Sequence, residues 1–169
     1  TISTKINSYE IIYIDDGSTD GSSRLLDLLA QQYNEVKVFH FPISKGQTSA
    51  LALGFRKAMG RLVAIMDADL PDDSGNIFHL IPLTVNYDLI CGVKVNRPNN
   101  FGRIKMILEL TRNWFRYWVT DEDVDKGCTV KLFKNQVAKD LYLNLHEIFY
   151  LYKGMDRYLP TLAKMNGYR

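Results

Sequence analysis

Long apolar runs, paired cysteines and a strong charge of either sign are all missing from this sequence of 169 residues. No uninterrupted apolar stretch approaches the ~20 residues that a helix needs to cross a bilayer. Thr1 opens a short polar stretch without the apolar segment of a signal peptide. The net charge of +2 argues against a protein that binds nucleic acid through bulk positive charge. These absences favour a domain that is soluble or lies on a membrane surface.

Cysteine and histidine are too few and too scattered to indicate a disulfide framework or a zinc centre. Cys91 and Cys128 form no CxxC pair, and we expect two reduced, partly buried thiols. The composition is that of an ordinary soluble protein, with 46% hydrophobic and 24% charged residues. The length is sufficient for one α/β domain with a core.

Strand and helix signals alternate through the first half of the chain. The predicted elements, strand first and alternating with helices, are 9–14, 22–33, 36–41, 48–59, 62–66, 77–85 and 88–95. This order is typical of an α/β fold, in which helices flank a mostly parallel sheet. Leu25, Leu28 and Leu29 are predicted to share one face of the first helix. The near-continuous apolar run 62–66 predicts a strand that is buried on both faces.

The second half of the chain is less regular. A long helix is predicted at 101–118, a strand at 129–133, and helices at 136–143 and 153–166. There is no internal repeat and no low-complexity linker. Residues 1–169 are therefore predicted to form a single domain.

Two acidic clusters directly follow predicted strands, where ligands bind in parallel α/β sheets. Asp67 and Asp69 follow the apolar run 62–66. Two carboxylates at such a position suit Mg²⁺ or Mn²⁺ that is shared with a diphosphate. The same spacing recurs twice within 121–125, where no buried strand precedes it and a solvated acidic loop is the simpler interpretation.

The segment from Asp15 to Ser22 has two compatible interpretations. Its Asp, Gly and Ser residues supply turn geometry, and Asp20 or Ser22 is predicted to cap the helix that follows. Asp15 and Asp16, at the end of the strand, are predicted to face the base or ribose of a nucleotide.

Five motifs in order along the chain carry a resemblance. They are Ile14–Asp20, Lys45–Leu51 with Gly54-Phe55, Met66–Leu70, Asp125–Cys128 with Lys131–Phe133, and Gly154–Pro160. Together they resemble glycosyltransferase family 2, whose fold is the Rossmann-like GT-A fold. The last two are similar to the bacterial polyprenyl-phosphate branch, which includes dolichol-phosphate mannose synthase-like transferases. The resemblance implies a metal-dependent, inverting transfer of a sugar from a nucleoside-diphosphate sugar.

The resemblance also implies roles for individual residues. Asp67 and Asp69 are expected to hold Mg²⁺ or Mn²⁺ together with the diphosphate, and Asp69 thereby takes part in catalysis. Asp15, Asp16, Lys45 and Asp67 are expected to bind the nucleotide.

The sequence departs from the family pattern at several positions. Nothing before Tyr9 resembles the apolar strand and Pro-x-Tyr-Asn-Glu segment that open the family domain. The chain is therefore expected to begin inside that domain and to stop at Arg169 before its C-terminal end. Pro71 stands where the branch often has Gln, Ser44 where Asn is usual, and Asp156 where His is usual. These departures bear on catalysis more than on the fold.

A phosphate acceptor is favoured over a hydroxyl. A lipid phosphate is largely dianionic at neutral pH and needs orienting cations, whereas a sugar hydroxyl needs a base. Basic residues cluster after the strand predicted at 88–95, and Arg97 and Arg103 are expected to orient the acceptor phosphate. By resemblance, Arg157 is expected to contact it too. Asp125 is the candidate base if one is used.

The helix predicted at 101–118 has a basic stripe and a broad apolar face with Trp114, Phe115 and Trp118. This pattern is typical of a helix on a membrane surface, and equally of one packed on a core or a partner subunit. We expect a cytoplasmic protein, peripheral at the inner face of the plasma membrane, that acts in cell envelope biosynthesis.

The expected partners are a nucleotide-sugar donor, a polyprenyl-phosphate or saccharide acceptor, a membrane surface and a second copy of the chain, but no nucleic acid. Two alternatives stay open, a family 2 enzyme acting on a saccharide hydroxyl and a non-catalytic nucleotide-binding or scaffold relative. A nucleotidyltransferase shares the metal chemistry but typically opens with a Gly-rich phosphate loop, which this sequence does not contain.

Overall fold

A computed structural model describes residues 8–66, 77–93, 128–151 and 158–169. Up to residue 93, the described strands and helices alternate as the sequence predicts. The elements are β1 (Ile11–Asp15), α1 (Ser22–Gln32), β2 (Val36–His40), α2 (Gln47–Lys57), β3 (Leu62–Met66), α3 (Ile77–Leu80) with a 3₁₀ turn at Ile81–Val85, β4 (Leu89–Val93), β5 (Cys128–Lys134), α4 (Asn135–Leu151) and α5 (Leu159–Met165).

The strands of the described ranges form two sheets. β1 and β2 pair in parallel, with Ile11 beside Val36 and Asp15 beside His40. β5 lies between β3 and β4 and runs antiparallel to both, so that β3 and β4 point in the same direction. The sequence predicts a strand at 129–133 but not its direction, because the residue pattern of a strand does not show whether its neighbours run parallel or antiparallel to it.

The core lies where α2, α4 and α5 meet β5. Phe55 of α2 and Phe133 of β5 contact each other edge to face, with ring centroids 5.5 Å apart. The other buried members are Ala52, Val137, Ala138, Leu141, Leu159 and Ala163. Because α2 also packs against β1, this helix joins the two sheets.

A lysine of α4 fixes the C-terminal end of α2. The Lys139 ammonium donates to the carbonyl oxygens of Phe55 and Arg56, at 2.7 and 2.9 Å. These carbonyls belong to the last turn of α2, where the helix dipole favours a positive charge. The contact holds α2, and with it the loop that precedes it, against the core.

The prediction that the strand at 62–66 is buried on both faces is wrong. Ala64 and Met66 are exposed, whereas Val63 and Ile65 pack against the core. A strand that is apolar at every position does not reveal which of its alternating faces a neighbour covers.

The three leucines of α1 share one face as predicted, but that face points away from the described core. Leu25, Leu28 and Leu29 are all exposed, and Leu26 is half-buried. The orientation of α1 is set by hydrogen bonds from its polar face. Ser23 and Asp27, one turn apart, bond to side chains at the ends of β1 and β2, which fixes the rotation of α1 about its axis. The leucines therefore lie on the opposite side.

Several predictions fall outside the described ranges. They include the helix at 101–118 and the departures Pro71 and Asp156. No helix within the four described ranges is long and apolar enough to span a bilayer.

Candidate functional site

The candidate site lies at the carboxyl ends of the parallel strands β1 and β2. β1 ends at Asp15 and β2 ends beside it at His40. The Phe41 N–H donates to the Asp15 carbonyl at 2.9 Å, so the two loops leave the sheet together. Ligands bind at this edge in parallel α/β sheets.

Asp15 is the buried carboxylate of this edge, with 4% of the residue exposed. Its Oδ1 accepts the Ser18 N–H at 3.0 Å. Its Oδ2 accepts the Ser23 hydroxyl at 2.5 Å and lies 2.7 Å from His40 Nδ1. Hydrogen bonds from Ser18, Ser23 and His40 hold the pKa of Asp15 well below its usual range despite burial. The carboxylate is therefore ionised at neutral pH.

Asp16 holds the loop that leads into α2. Its carboxylate accepts the Ser44 hydroxyl at 2.6 Å, the Lys45 N–H at 2.6 Å and the Gly46 N–H at 2.9 Å. Burial alone would raise the pKa of Asp16, but the bonds from Ser44, Lys45 and Gly46 outweigh it and the pKa is lowered. The carboxylate thus occupies the N–H groups just before α2 that would otherwise suit an anion.

Close packing between the two loops depends on Gly17. Its φ of 76° lies in the left-handed region. A Cβ added there would come within 2.7 Å of the Ser44 nitrogen and 2.9 Å of the Ile43 carbonyl carbon. Only glycine fits both the conformation and the space.

Lys45 has an anchored backbone and an exposed side chain. Asp16 accepts its N–H, and its ammonium lies 5.1 Å from the centroid of the Phe41 ring. The structure therefore brings Asp15, Asp16 and Lys45 together on adjacent loops.

The cap predicted at the start of α1 is only partly found. The residue before the helix is Gly21, in a left-handed conformation, and neither Asp20 nor Ser22 takes the N-cap position. Asp20 contributes nevertheless, because its carboxylate accepts the Ser22 N–H at 3.0 Å.

Sequence reasoning missed the partners of Asp15. His40 Nε2 lies 3.1 Å from Asp27 Oδ1, so the imidazole bridges two carboxylates. The bonds to Asp15 and Asp27 raise the pKa of His40 above its usual value. One signal was available, since parallel pairing of two adjacent predicted strands places their last residues side by side.

The predicted metal and acceptor residues lie outside the described ranges, and they are Asp67, Asp69, Arg97, Arg103, Asp125 and Arg157. Asp67 directly follows Met66, the last residue of β3. In the part of the chain that the structure describes, no group of three or more His, Cys, Asp or Glu side chains could hold a metal ion. Protein donors engage both Asp15 and Asp16. The assignment of a divalent cation to Asp67 and Asp69 stays a prediction.

Asp16→Asn is expected to lower the free energy of unfolding by about 1.5–3 kcal/mol at pH 7, because an amide cannot accept every hydrogen bond that the carboxylate accepts. The lowered pKa means that the ionised form stabilises the fold above the usual aspartate pKa near ~4 and that this stabilisation is lost as the pH falls. The difference between the two proteins should therefore shrink in urea unfolding at pH 3.

Asp20→Asn is the matched control, since the exposed Asp20 carboxylate accepts the Ser22 N–H in the same loop without joining it to α2. A much smaller change is expected. An equal loss for Asp16→Asn at both pH values would contradict the role of its charge.

The comparisons with known proteins agree with this architecture. The model of glycosyl transferase family 2 matches residues 2–138, and the chain belongs to this family. Among solved structures, a mannosyltransferase from Pyrobaculum calidifontis in complex with GDP-Man and Mn²⁺ superposes with a TM-score of 0.62 at 19% identity, over 95% of this chain and 44% of that one. The α/β fold is thus the GT-A fold.

Three curated relatives are each called undecaprenyl-phosphate 4-deoxy-4-formamido-L-arabinose transferase. Those of Serratia proteamaculans and Klebsiella pneumoniae subsp. pneumoniae are 30% identical over 157 residues, which is 92% of this chain and 45% of each relative. That of Yersinia pestis is 28% identical over 160 residues, 92% of this chain and 46% of the relative. The chain spans about half the length of these relatives.

Proposed function

We propose that this chain carries the donor-binding part of a glycosyltransferase that moves a sugar from a nucleoside diphosphate to a polyprenyl phosphate, with inversion and with a divalent cation. The observation that carries the proposal is the buried, ionised Asp15 at the carboxyl end of β1 in a family 2 domain. The names of the undecaprenyl-phosphate relatives support the acceptor.

Asp15 and Asp16 have different proposed roles in nucleotide binding. A carboxylate offers about four lone-pair positions. Hydrogen bonds from Ser18, Ser23 and His40 hold the Asp15 carboxylate at the end of β1, where it would face an N–H or O–H of the base or ribose. The lone-pair positions of Asp16 are filled by four contacts from Ser44, Lys45 and Gly46. In this proposal Asp15 touches the nucleotide, and Asp16 acts by holding the loop that presents Lys45 to the diphosphate.

Asp67 and Asp69 would hold Mg²⁺ or Mn²⁺, and the cation would neutralise charge on the departing nucleoside diphosphate. In the sequence Asp67 directly follows Met66, the last residue of β3. The Mn²⁺ and GDP-Man in the related mannosyltransferase structure support a metal-assisted nucleotide-sugar site.

Arg97, Arg103 and Arg157 would orient the acceptor phosphate. A phosphate dianion is nucleophilic without deprotonation, so these residues need only hold it in line with the bond that breaks. Asp125 would serve as a base only if the acceptor were a saccharide hydroxyl. With a polyprenyl acceptor, the protein would act at the inner face of the plasma membrane.

Thermal unfolding with UDP and GDP, each with and without Mn²⁺, tests the donor site. A nucleotide at about 100 times its Kd should stabilise the fold by about 2.7 kcal/mol. We expect a Mn²⁺-dependent shift with one of the two, which also identifies the donor base. No shift with either nucleotide would contradict the proposed function.

Transfer of labelled sugar to undecaprenyl phosphate or to free saccharides then tests the acceptor. Product with the lipid phosphate alone supports the polyprenyl assignment. Product with free saccharides and no lipid would replace it with a hydroxyl acceptor.

A further inference from the structure

His40 has no assigned role in the proposed sugar transfer. It ends β2, beside the last residue of β1, and its ring lies between the carboxylates of Asp15 and Asp27. Nδ1 is 2.7 Å from Asp15 Oδ2, and Nε2 is 3.1 Å from Asp27 Oδ1. The bridge thus joins β1, β2 and α1 through a single side chain.

The two carboxylates differ sharply in exposure. The Asp15 side chain is 2% exposed and that of Asp27 is 57% exposed. A protonated imidazole donates to both carboxylates, whereas a neutral one carries a single N–H. Turning an unprotonated ring nitrogen toward a buried carboxylate costs more than turning one toward an exposed carboxylate, where water can supply a donor. The neutral ring should therefore keep its proton on Nδ1, toward Asp15.

We propose that His40 is a positioning residue for nucleotide binding, whose Nδ1–H holds the Asp15 carboxylate in the orientation that faces the ligand. This role rests on the proposed nucleotide contact of Asp15. Ser23 shares Oδ2 with His40, so the two donors fix the carboxylate from α1 and from β2. Removing the histidine would leave Oδ2 to Ser23 alone, so the carboxylate would be held less firmly.

The charged groups that face the ring are Asp15 of β1 and Asp27 of α1. Both favour the protonated ring, in agreement with the raised pKa of His40. Because the pKa of His40 is raised, the imidazolium stabilises the fold below the usual histidine pKa. This stabilisation is lost as the pH rises through the raised pKa. The hydrogen bond from His40 to Asp15 is expected to persist above the pKa of His40, because the neutral ring retains the Nδ1 proton.

Three variants separate positioning from packing. The amide nitrogen of Asn lies about where imidazole Nδ1 lies, and that of Gln about where Nε2 lies. By isothermal calorimetry with UDP or GDP and Mn²⁺, His40→Ala is expected to weaken nucleotide binding about tenfold. His40→Asn should recover binding to within about threefold of the unsubstituted protein, and His40→Gln should not.

NMR of ¹⁵N-labelled histidine gives a second readout, without nucleotide. Above its titration the ring should be the Nδ1–H tautomer in the unsubstituted protein, and Asp15→Asn should abolish that preference. An Nε2–H tautomer in the unsubstituted protein would overturn the proposal, as would equal nucleotide affinity of the Asn and Gln variants.

The two levels of failure are distinguishable. If the unsubstituted protein binds neither nucleotide, the proposed function fails and the role of His40 fails with it, even where the Nδ1–H tautomer reports an intact bond to Asp15. If it binds nucleotide and His40→Ala binds equally well, only the role of His40 is overturned.

Discussion

Asp69→Asn is expected to lower the rate of sugar transfer by about 10²–10³-fold and to remove the Mn²⁺-dependent part of nucleotide affinity. A cation held by two carboxylates contributes several kcal/mol of charge stabilisation to the departing diphosphate, and an amide is a poor substitute for one of them. The measurement is transfer of labelled sugar at saturating donor over a range of Mn²⁺ concentrations, together with calorimetry of UDP or GDP with and without Mn²⁺.

Asp121→Asn is the matched control for this prediction. Asp121 and Asp123 repeat the spacing of Asp67 and Asp69 without a preceding apolar strand. The control variant should retain the rate and the Mn²⁺ dependence of the unsubstituted chain. Full turnover by Asp69→Asn, or an equal loss in both variants, would contradict the assignment of the metal to the pair that follows β3.

The strand ends that position the candidate site could be predicted from the sequence. The β-rich run 9–14 and the apolar run 62–66 stop at acidic residues, and the observed strands β1 and β3 end at Asp15 and Met66, within one residue of the predicted ends. A local pattern determines these ends, because each run stops where acidic and turn-forming residues follow it directly.

The hydrogen bonds of the site could not be predicted in the same way. The donors to Asp16 lie 28 to 30 residues further along the chain, and His40 lies 25 residues after Asp15. Such contacts depend on how the strands pair and how the loops pack, which no local window contains. The outward face of Leu25 and Leu28 has the same origin, since Ser23 and Asp27 turn α1 by bonding to other elements.

The direction in which β5 pairs also depends on long-range contacts, whereas its position in the sequence does not. The sequence predicts a strand at 129–133, and β5 is found at Cys128–Lys134. Its position between β3 and β4, antiparallel to both, results from long-range pairing. Periodicity reports which residues form a strand, and tertiary packing decides the neighbour.

Gly17→Ala is expected to destabilise the fold by about 2–5 kcal/mol, from about 1–2 kcal/mol of left-handed strain and about 1–3 kcal/mol of overpacking. The φ of Gly17 is 76°, and the new methyl would meet the backbone of Ile43 and Ser44 rather than a flexible side chain. The loop would have to move away, and that movement would lengthen the bonds of Asp16 to Ser44 and Lys45. Urea unfolding measures the loss, and calorimetry with nucleotide and Mn²⁺ should show weaker binding.

Gly21→Ala separates strain from crowding. Gly21 also has a left-handed φ, of 91°, but a Cβ added there meets nothing within 4 Å. Its substitution should cost only the strain, about 1–2 kcal/mol, and leave nucleotide affinity unchanged. If Gly17→Ala proved no more harmful than Gly21→Ala on both measurements, the close approach of the two loops would not determine the geometry of the site. A larger loss at Gly17, accompanied by weaker nucleotide binding, would show that Asp16 presents Lys45 only while the backbone at Gly17 leaves room for Ser44.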